Sequence, residues 1–584
     1  MLVVGGGAAG AAAAREAALR GYETALIERE DFGAGASAHC FKVVHGGIRY
    51  IQHVDVKRLR ASCHERSVFL RLAPHLVKPL PFVIPTYGWG KNSKWFLGAG
   101  MLLYDALSAD RNLRTRDRAR RIQWTHFFDR DETLQLFPGI PGKGLTGAAT
   151  FEDGQMHNPP RLVLAFAAAA HELGASVANY VAAEKLLVRD QCVCGVNAHD
   201  ALTGERFDIR AKIVINAAGP WAEGLVRDVS PAAQRTPGTY SRDVCFVINR
   251  RPTAPYALAL QGASHDADAI LTRGARHLFM VPWRDRTLIG VWHSIVPRDP
   301  DTVGVTRDEL RSYIAEINAC HPGFNLREAE VERVDFGLVP FGSAADQGAA
   351  SISFGKQSRL IDHREVDGVA GLITSISVRY TVARMDAVKA LDCAARQLGK
   401  RVKLAESEST PLPGGDIGSF DSLVHSTLRN RPSWLSAASV ETLAANFGNR
   451  ITRVLAMADA DPALRGYVAG TDTTFAEVAC ALRDEMAQNL SDIVFRRTEL
   501  GTGRHPGVIA LSSLTDFMQR TLQWSASRAQ NERSRVEAQF ARYLADPDRA
   551  RDGAPMGPHA TLPPDSFPSP AGSLGETAWA GRMR

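Results

Sequence analysis

Cysteine is scarce in this sequence and never stands in a metal-binding spacing. The 584 residues include 8 cysteines, with no CxxC pair and no ligand-like spacing to histidine. A structural zinc site or a disulfide framework would need clusters of that kind. The pattern therefore predicts reduced thiols and no bound metal.

Long apolar runs and an export signal are also missing. No uncharged apolar run reaches the ~20 residues that cross a bilayer, and glycines interrupt the first apolar run before Arg15 and Glu16. These features predict a cytoplasmic protein. The apolar segment 95–107 is flanked by Lys91 and Lys94, and we interpret it either as a buried helix or as a helix lying on a membrane.

A strong excess of charge of one sign is absent as well. The formal net charge is +6 and the isoelectric point is near 8.9. Over a chain of this length that is a mild bias, which does not indicate nucleic-acid binding. It suits an anionic small substrate or an anionic membrane surface, so we expect a small-molecule partner and no nucleic acid.

The first 50 residues have the pattern of a strand, a glycine-rich turn, a helix and a second strand. Gly5, Gly7 and Gly10 match G-x-G-x-x-G, and Glu28 ends the second strand. The glycines permit a tight turn, close approach to a diphosphate and close packing of helix on strand, while Glu28 can accept from ribose hydroxyls. Because only four residues precede Gly5, either the first strand is brief or the native start lies upstream.

The same fingerprint binds NAD or FAD, so the choice depends on the segments that follow it. After the second strand comes an extended, glycine-bearing stretch with Ser37, Lys42 and His45-Gly46, where a nicotinamide enzyme would continue with regular βα units. The small residues of segment 216–221 follow an apolar strand, read as 210–215, and would let the chain pass close to a cofactor. We predict an FAD-dependent oxidoreductase.

The chain divides into regions of different character. We predict a Rossmann-like FAD-binding domain, a mixed-sheet substrate domain and a C-terminal α-helical domain, which is an α/β fold overall. The oxidoreductase region is 1–405, with FAD-binding segments 1–80, 145–230 and 350–405 interleaved with substrate segments 81–144 and 231–349. The helical domain is 406–545, and the Pro- and Gly-rich remainder, 546–584, is predicted to be a disordered tail.

These residues resemble the FAD-dependent glycerol-3-phosphate dehydrogenase family, within the D-amino-acid-oxidase-like flavoproteins. The resemblance extends from residue 1 to about 545. The segments that carry it are the Gly5 fingerprint, 42–50 with the pattern K-x-x-H-G-G-x-R-Y, 216–221, Pro282-Trp283 before Ile289-Gly290, 411–415, Phe447-Gly448-Asn449 and 492–498.

The resemblance implies oxidation of sn-glycerol 3-phosphate to dihydroxyacetone phosphate, with hydride transfer to the flavin and electrons passed to a quinone. It also implies contact with the inner face of the cytoplasmic membrane, and a homodimer is a further expectation. The implied catalytic residues are His45, Arg49, Tyr50 and Arg379. The implied substrate-binding residues are Arg49, Tyr50, Lys356 and Arg379. The implied cofactor-binding residues are Gly5, Gly7, Gly10, Glu28, Ser37, Lys42, His45, Gly46, Val181, Ala217, Gly219, Trp221 and Thr381.

Several positions depart from the family pattern. Where the family has G-G-K-x-T-T-x-R, this chain has segment 377–384, so that Arg379 keeps the charge of the lysine while both glycines are lost. The arginine of G-V-R-P falls on Val339, the segment K-G-S-H aligns with 242–245 ending at Cys245, and G-T-T-D aligns with 290–293. The cofactor site is therefore retained and the substrate pocket is remodelled.

The group that accepts the substrate's hydroxyl proton is not settled by these patterns. His45 and His293 are candidates, because a neutral imidazole can take a proton near neutral pH. Two other interpretations stay open beside the glycerol-phosphate enzyme. One is an oxidase or dehydrogenase for another hydroxy or amino compound. The other is a flavin-binding protein that docks to a membrane or partner without turnover.

Overall fold

The structure is a computed structural model and describes residues 1–51, 54–90, 93–230, 239–265, 275–296, 300, 303–341, 358–402, 404 and 406–543. Lys356 and the predicted tail, 546–584, lie outside these residues. The strands are, in chain order, β1 (Leu2–Val4), β2 (Ala25–Ile27), β3 (Val43–Val44), β4 (Val77–Tyr87), β5 (Phe127–Phe128), β6 (Leu145–Met156), β7 (Ser176–Ala178), β8 (Val181–Arg189), β9 (Cys192–Asp200), β10 (Arg206–Arg210), β11 (Val214–Asn216), β12 (Thr239–Ile248), β13 (Ala257–His265), β14 (Ala275–Trp283), β15 (Arg286–Val296), β16 (Val331–Phe341), β17 (Arg359–Asp362) and β18 (Leu372–Ile376).

The α-helices of the described residues fall into two groups, nine in the first 402 residues and the rest in the C-terminal part. They are α1 (Ala8–Leu19), α2 (Val56–Leu72), α3 (Lys94–Leu107), α4 (Arg130–Leu136), α5 (Pro159–Glu172), α6 (Ala222–Val226), α7 (Arg307–Cys320), α8 (His363–Val366), α9 (Ala383–Gln397), α10 (Phe420–Arg429), α11 (Ala437–Phe447), α12 (Ile451–Ala460), α13 (Phe475–Asp484), α14 (Leu490–Asp492), α15 (Val508–Leu522) and α16 (Ala526–Tyr543). A π-helical turn, Ile493–Arg497, continues α14. None of the described helices combines the length and apolar character needed to cross a membrane.

The first sheet is the nucleotide-binding layer. Its strand order is β17-β18-β11-β1-β2-β7, with parallel pairing except at the β17 edge. The Ala-rich helix α1 packs between α5 and α9, and its alanines are buried except for the partly buried Ala9. Alanine favours the helix and its small side chain lets three helices approach closely, which explains this packing.

The second sheet is the large mixed layer that faces the first. Its order is β16-β12-β15-β14-β13-β4-β6-β3. One face buries an apolar cluster against α7, with Phe246 and Trp292 stacked at 5.3 Å. The other face looks toward the glycine-rich turn, and the space between the two layers is the site described below. A third, three-stranded sheet has the order β10-β9-β8.

One predicted strand is wrong in its extent. Segment 210–215 was expected to form one strand, but β10 ends at Arg210 and β11 begins at Val214. Arg210 pairs with Gly195 in the three-stranded sheet, whereas Val214 pairs with Leu2 in the nucleotide-binding sheet. The chain crosses between two sheets here, and an apolar run does not reveal such a crossing.

The C-terminal part is helical, with apolar cores formed by α10 to α16 and the connecting turns. Side-chain caps mark several of the helix starts: Thr474 accepts from the amide of Glu477 at α13, and Ser436 accepts from the amide of Ser439 at α11. The predicted fold class, an α/β flavoprotein fold with a C-terminal helical domain, is confirmed.

Candidate active site and cofactor cavity

Two positions, Gly5 in the turn after β1 and Gly10 in the first turn of α1, have room for glycine only. Gly5 has a φ of +103°, and a Cβ built on it would lie 2.6 Å from the carbonyl oxygen of Ala217. A Cβ on Gly10 would lie 1.8 Å from the carbonyl oxygen of Gly5. The chain is therefore drawn tightly around the start of α1, where backbone amide groups and the helix dipole favour an anion.

Ser37 and Glu28 surround this turn. The amide of Ala8 donates to Ser37 Oγ at 3.0 Å, and Glu28 accepts from the amide of Gly6 at 2.5 Å and from the amide of Glu30 at 2.9 Å. Burial raises the pKa of Glu28, and the two amide donors oppose that rise. The carboxylate stands at the end of β2, where it can accept from ribose hydroxyls.

A single cavity of about 1650 Å³ runs from this turn to the large sheet. It exceeds the roughly 300–1,000 Å³ that one small ligand usually occupies, so a dinucleotide and a substrate can share it. Predicted site residues that line it are Gly5, Gly7, Glu28, Ser37, His45, Arg49, Tyr50, Val181, Ala217, Gly219, Trp221, Arg379 and Thr381. Gly10, Lys42 and Gly46 are described but do not line it.

The donor set of this cavity fits FAD. Backbone amides at the start of α1 suit a diphosphate, the glycine cradle would be filled by any Cβ, and Glu28 suits a ribose. Arg29 stacks at 4.2 Å over the ring of Trp221, and both residues line the same end of the cavity. Toward the large sheet the wall becomes aromatic, with Phe82 and Phe279 in edge contact at 5.4 Å, which suits a flat ring system.

A cationic centre lies where α2 and the segment before α9 meet. Arg379 Nη1 donates to Tyr50 Oη at 2.8 Å and to Ser62 Oγ at 2.9 Å. Its guanidinium also lies over the Tyr50 ring at 5.3 Å. The buried Nε of Arg379 has no hydrogen-bond partner among the described residues. A preorganised guanidinium of this kind can hold an anionic group of a substrate.

His45 contacts one residue near each of the two large sheets. Its amide donates to Thr381 Oγ1 at 3.0 Å, and its Nδ1 lies 3.4 Å from Asp153 Oδ2. Asp153 in turn accepts from the amide of Gly46 at 2.6 Å and from Arg66 at 3.1 Å. Gly46 thus contributes to the site through Asp153, which the sequence patterns did not indicate.

Lys42 points away from the cavity. Its Nζ lies 2.9 Å from Asp335 Oδ2 and 4.8 Å from the Trp283 ring, and Arg333 Nε donates to Asp335 at 2.7 Å. Burial alone would raise the pKa of Asp335, but Arg333, Lys42 and His39 hold it well below its ordinary value. Lys42 therefore anchors the loop that carries the cavity residues, and its predicted contact with the cofactor remains a prediction.

A second histidine–carboxylate pair lies on the large sheet. Asp243 of β12 and His293 of β15 are directly opposite in the strand register, and His293 Nδ1 lies 2.8 Å from Asp243 Oδ1. Both line the cavity. Sequence reasoning named His293 but missed Asp243, because the pairing depends on a strand register that only the folded sheet provides.

Among the described residues, one group could hold a metal ion by distance, namely His64, Glu65 and Glu408. Arg384 already donates to Glu65 and Glu408 at 3.0 Å each. A cation is thus present in the group without a metal, and the geometry has an ordinary explanation as an ion-pair network.

The geometry defines a flavin-dependent oxidoreductase: a glycine-rich diphosphate turn opens into a cavity with a cationic centre and histidines. Residues 1–367 match the family described as FAD dependent oxidoreductase, and residues 405–529 match the C-terminal domain of alpha-glycerophosphate oxidase. The chain belongs to the family of FAD-dependent glycerol-3-phosphate dehydrogenases. It is an enzyme, and FAD is its cofactor.

Individual relatives cover nearly the whole chain. Glycerol-3-phosphate dehydrogenase of Synechocystis sp. is 32% identical over 512 residues, which span 86% of this chain and 88% of the relative. Glycerol-3-phosphate dehydrogenase 2 of Mycobacterium tuberculosis is 28% identical, covering 94% and 90%. The solved structure of the Bacillus halodurans glycerol-3-phosphate dehydrogenase complexed with FAD has a TM-score of 0.71 at 22% identity, covering 94% and 95%. The last likeness concerns the fold.

Proposed function

We propose that the enzyme oxidises sn-glycerol 3-phosphate to dihydroxyacetone phosphate and passes the electrons through FAD to a quinone. The observation that carries this proposal is the 32% identity to a glycerol-3-phosphate dehydrogenase over 88% of that relative. The cationic centre at Arg379 supports it, because a phosphorylated substrate needs a fixed positive charge.

We assign the binding of the substrate phosphate to cationic side chains of the cavity. FAD, when bound, supplies the hydride acceptor. Arg379, held by Tyr50 and Ser62, binds the phosphate through charge-assisted hydrogen bonds. Arg49 lines the same cavity and adds a second guanidinium. Lys356, outside the described residues, remains a predicted third cation. His45, Arg49, Tyr50 and Arg379 thus form the proposed catalytic and substrate-binding set.

Anaerobic flavin reduction tests the proposed substrate. Adding sn-glycerol 3-phosphate to FAD-loaded enzyme should bleach the flavin absorption band, and glycerol at the same concentration should not. Bleaching by neither compound, in fully loaded protein, would reject this substrate. Titration with a series of quinones then follows reoxidation, and identification of dihydroxyacetone phosphate after turnover tests the product.

The role of Arg379 can be measured directly. Replacing it in Arg379→Gln should weaken the apparent affinity for sn-glycerol 3-phosphate by roughly ten- to hundredfold, the range expected for one hydrogen bond to a charged group. Arg311→Gln is the matched control, since Arg311 is exposed and pairs with Glu328, and neither residue lines the cavity. Equal affinity in Arg379→Gln and wild type would remove Arg379 from the substrate site.

We further propose that α3 rests on the inner face of the cytoplasmic membrane, where a quinone is available. Trp95 and Leu102 are 78% and 60% exposed on α3, and the next segment carries exposed Arg114, Arg116 and Arg118. An apolar face beside a basic rim suits anionic lipids. Phe96, Leu97, Met101 and Leu103 of the same helix line the cavity, which offers a lipid-soluble acceptor a short approach.

A homodimer remains a prediction.

A second candidate function is oxidation of another hydroxy or amino compound. Val339 lines the cavity where the family pattern has an arginine, and Asp243 adds a carboxylate to the same cavity. A carboxylate suits an ammonium group better than a phosphate. A screen of small hydroxy acids, sugar phosphates and amines for flavin reduction separates the two functions, and release of hydrogen peroxide would identify an oxidase.

A further inference from the structure

A hydrogen-bonded histidine, carboxylate and hydroxyl occupy the cavity face of the large sheet. Ser241 Oγ donates to Asp243 Oδ1 at 2.8 Å, and the same oxygen lies 2.8 Å from His293 Nδ1. The side chains of His293 and Asp243 are 18% and 27% exposed. The pair is thus fixed by neighbouring strands and still reachable from the cavity.

We propose that His293 accepts the hydroxyl proton of the substrate, and that Asp243 positions it. Asp243 Oδ1 accepts a hydrogen bond from Nδ1–H of His293, so the neutral ring keeps its lone pair on Nε2. When the carbinol carbon gives up its hydride to the cofactor, the O–H bond breaks, its electron pair completes the C=O bond, and the proton moves to Nε2. This role rests on the proposed oxidation of an alcohol.

His45 is the other histidine that the sequence offered as the proton acceptor, and its surroundings suit this role less well. Its Nδ1 is 3.4 Å from Asp153, longer than an ordinary hydrogen bond between nitrogen and oxygen. Asp153 already accepts from Arg66 and from the amide of Gly46. Because Arg66 already compensates the charge of Asp153, this carboxylate fixes the tautomer of His45 only weakly. Asp243, in contrast, lies 2.8 Å from His293 Nδ1.

The proposed role of His293 explains why positions 243, 245 and 293 differ from the family pattern. In the aligned segments, Asp243 stands where the family pattern has glycine and His293 stands where it has aspartate, while the family's histidine is Cys245. Burial raises the pKa of the Cys245 thiol, so this residue stays protonated and cannot act as a base. Cys245 and Asp243 both line the cavity from β12. A histidine lost on β12 is thus replaced by one on the adjacent strand β15.

Rapid-mixing measurement of flavin reduction tests the proposal. With sn-glycerol 3-phosphate, His293→Gln and Asp243→Asn should reduce the limiting rate constant by about 10²- to 10⁴-fold, the usual contribution of a general base. The substrate dissociation constant should change less than about threefold. Added imidazole should restore part of the rate in His293→Ala. His505→Gln is the control, because His505 forms a similar pair with Glu537 on the surface of the helical domain.

A second measurement does not depend on turnover. Nitrogen NMR of histidine-labelled FAD-loaded enzyme, without substrate, should show His293 as the Nδ1–H tautomer, and Asp243→Asn should convert it to Nε2–H because the amide can donate to Nδ1. An Nε2–H tautomer in wild type, or a His293→Gln enzyme reduced within threefold of the wild-type rate, would overturn the proposal. If wild type is not reduced by glycerol 3-phosphate, the substrate assignment fails, and the tautomer still decides the role of Asp243.

Discussion

We expect steric exclusion at two glycines to control whether the enzyme can hold its cofactor. Gly5 and Gly10 touch each other across the turn, and a Cβ on Gly10 would lie 1.8 Å from the Gly5 carbonyl oxygen. That oxygen belongs to backbone, which cannot rotate away as a flexible side chain could. Any side chain at Gly10 must therefore displace the amide groups that face the diphosphate.

Gly10→Ala should consequently emerge from purification with little or no flavin. The methyl group forces the turn away from α1, and the cradle of amides opens. The ratio of flavin to protein absorbance measures the effect. Gly418→Ala is the control, because a Cβ on Gly418 meets no atom within 4 Å. Full flavin content in Gly10→Ala would contradict the assignment of this turn.

Glu477 is a buried acid whose protonation should make stability depend on pH. Its Oε1 has no hydrogen-bond partner among the described residues, and burial raises its pKa to about 8, against the opposing charge of Arg161. Between its ordinary value near 4.5 and about 8, the folded enzyme keeps a proton that the unfolded chain releases. Stability therefore falls as the pH rises through this interval, by up to about 1.4 kcal/mol per pH unit.

Glu477→Gln should remove this dependence, because the neutral amide has the same shape as the protonated acid. The unfolding temperature of the variant should exceed that of wild type at pH 8 by more than it does at pH 6. Thermal unfolding followed by circular dichroism at both pH values checks this. Glu441→Gln, on the exposed face of α11, controls for loss of a charge. An equal difference at both pH values would show that Glu477 is already ionised in the folded enzyme.

At the level of elements, helix α3 has two distinct faces. Leu97, Met101 and Tyr104 are buried, while Trp95 and Leu102 lie in solvent. The buried face agrees with the interpretation as a buried helix, and contact of the exposed face with a membrane stays a prediction. Apolar side chains that lie together on a surface exposed to water are unfavourable unless a partner or a membrane covers them.

The double variant Trp95→Ser/Leu102→Ser should bind vesicles of phosphatidylglycerol and phosphatidylcholine far more weakly than wild type. Each lost apolar side chain should lower partitioning by roughly tenfold or more, from the free energy of burying such a side chain. Co-sedimentation measures the bound fraction. Val508→Ser/Ile509→Ser is the matched control, since Val508 and Ile509 are 62% and 74% exposed on α15. Equal binding by both double variants would exclude α3 as the docking element.

The elements that local sequence determines were predictable, and those that depend on distant pairing were not. The glycine spacing predicts the turn at Gly5, and the alanine content predicts helix α1. The cofactor end of the cavity could therefore be predicted from the sequence. The pairing of β12 with β15, which brings Asp243 to His293, depends on register between strands far apart in the chain. For the same reason, the sequence of segment 210–215 did not indicate that the chain crosses between two sheets there.

Across the whole molecule, a buried ionic network joins the helical domain to the nucleotide turn. Arg497 donates to both carboxylate oxygens of Asp31, at 2.6 and 2.8 Å, and Arg496 donates to the same carboxylate at 2.5 Å. The amide of Gly33, two residues after Asp31, donates to the carbonyl of Gly6 at 3.0 Å. The two arginines hold the pKa of Asp31 far below its ordinary value, although burial opposes this. The helical domain thus supports the loop that closes the diphosphate turn.

Arg497→Ala should therefore weaken both domain docking and cofactor retention. Removing one partner of a buried ion pair costs about 3–5 kcal/mol when the other charge is left without compensation. Arg496 still donates to Asp31 in this variant, so we expect a smaller cost. We expect a lower unfolding temperature and an earlier rise of free-flavin fluorescence on heating. Arg483→Ala is the control, because Arg483 is exposed and pairs with its neighbour Asp484. Asp31→Asn combined with Arg497→Ala should recover part of the loss, since it removes the buried carboxylate that has lost one of its two arginines. If Arg497→Ala lowers the unfolding temperature while the flavin stays bound to the same temperature as in wild type, the helical domain stabilises the fold without supporting the cofactor turn.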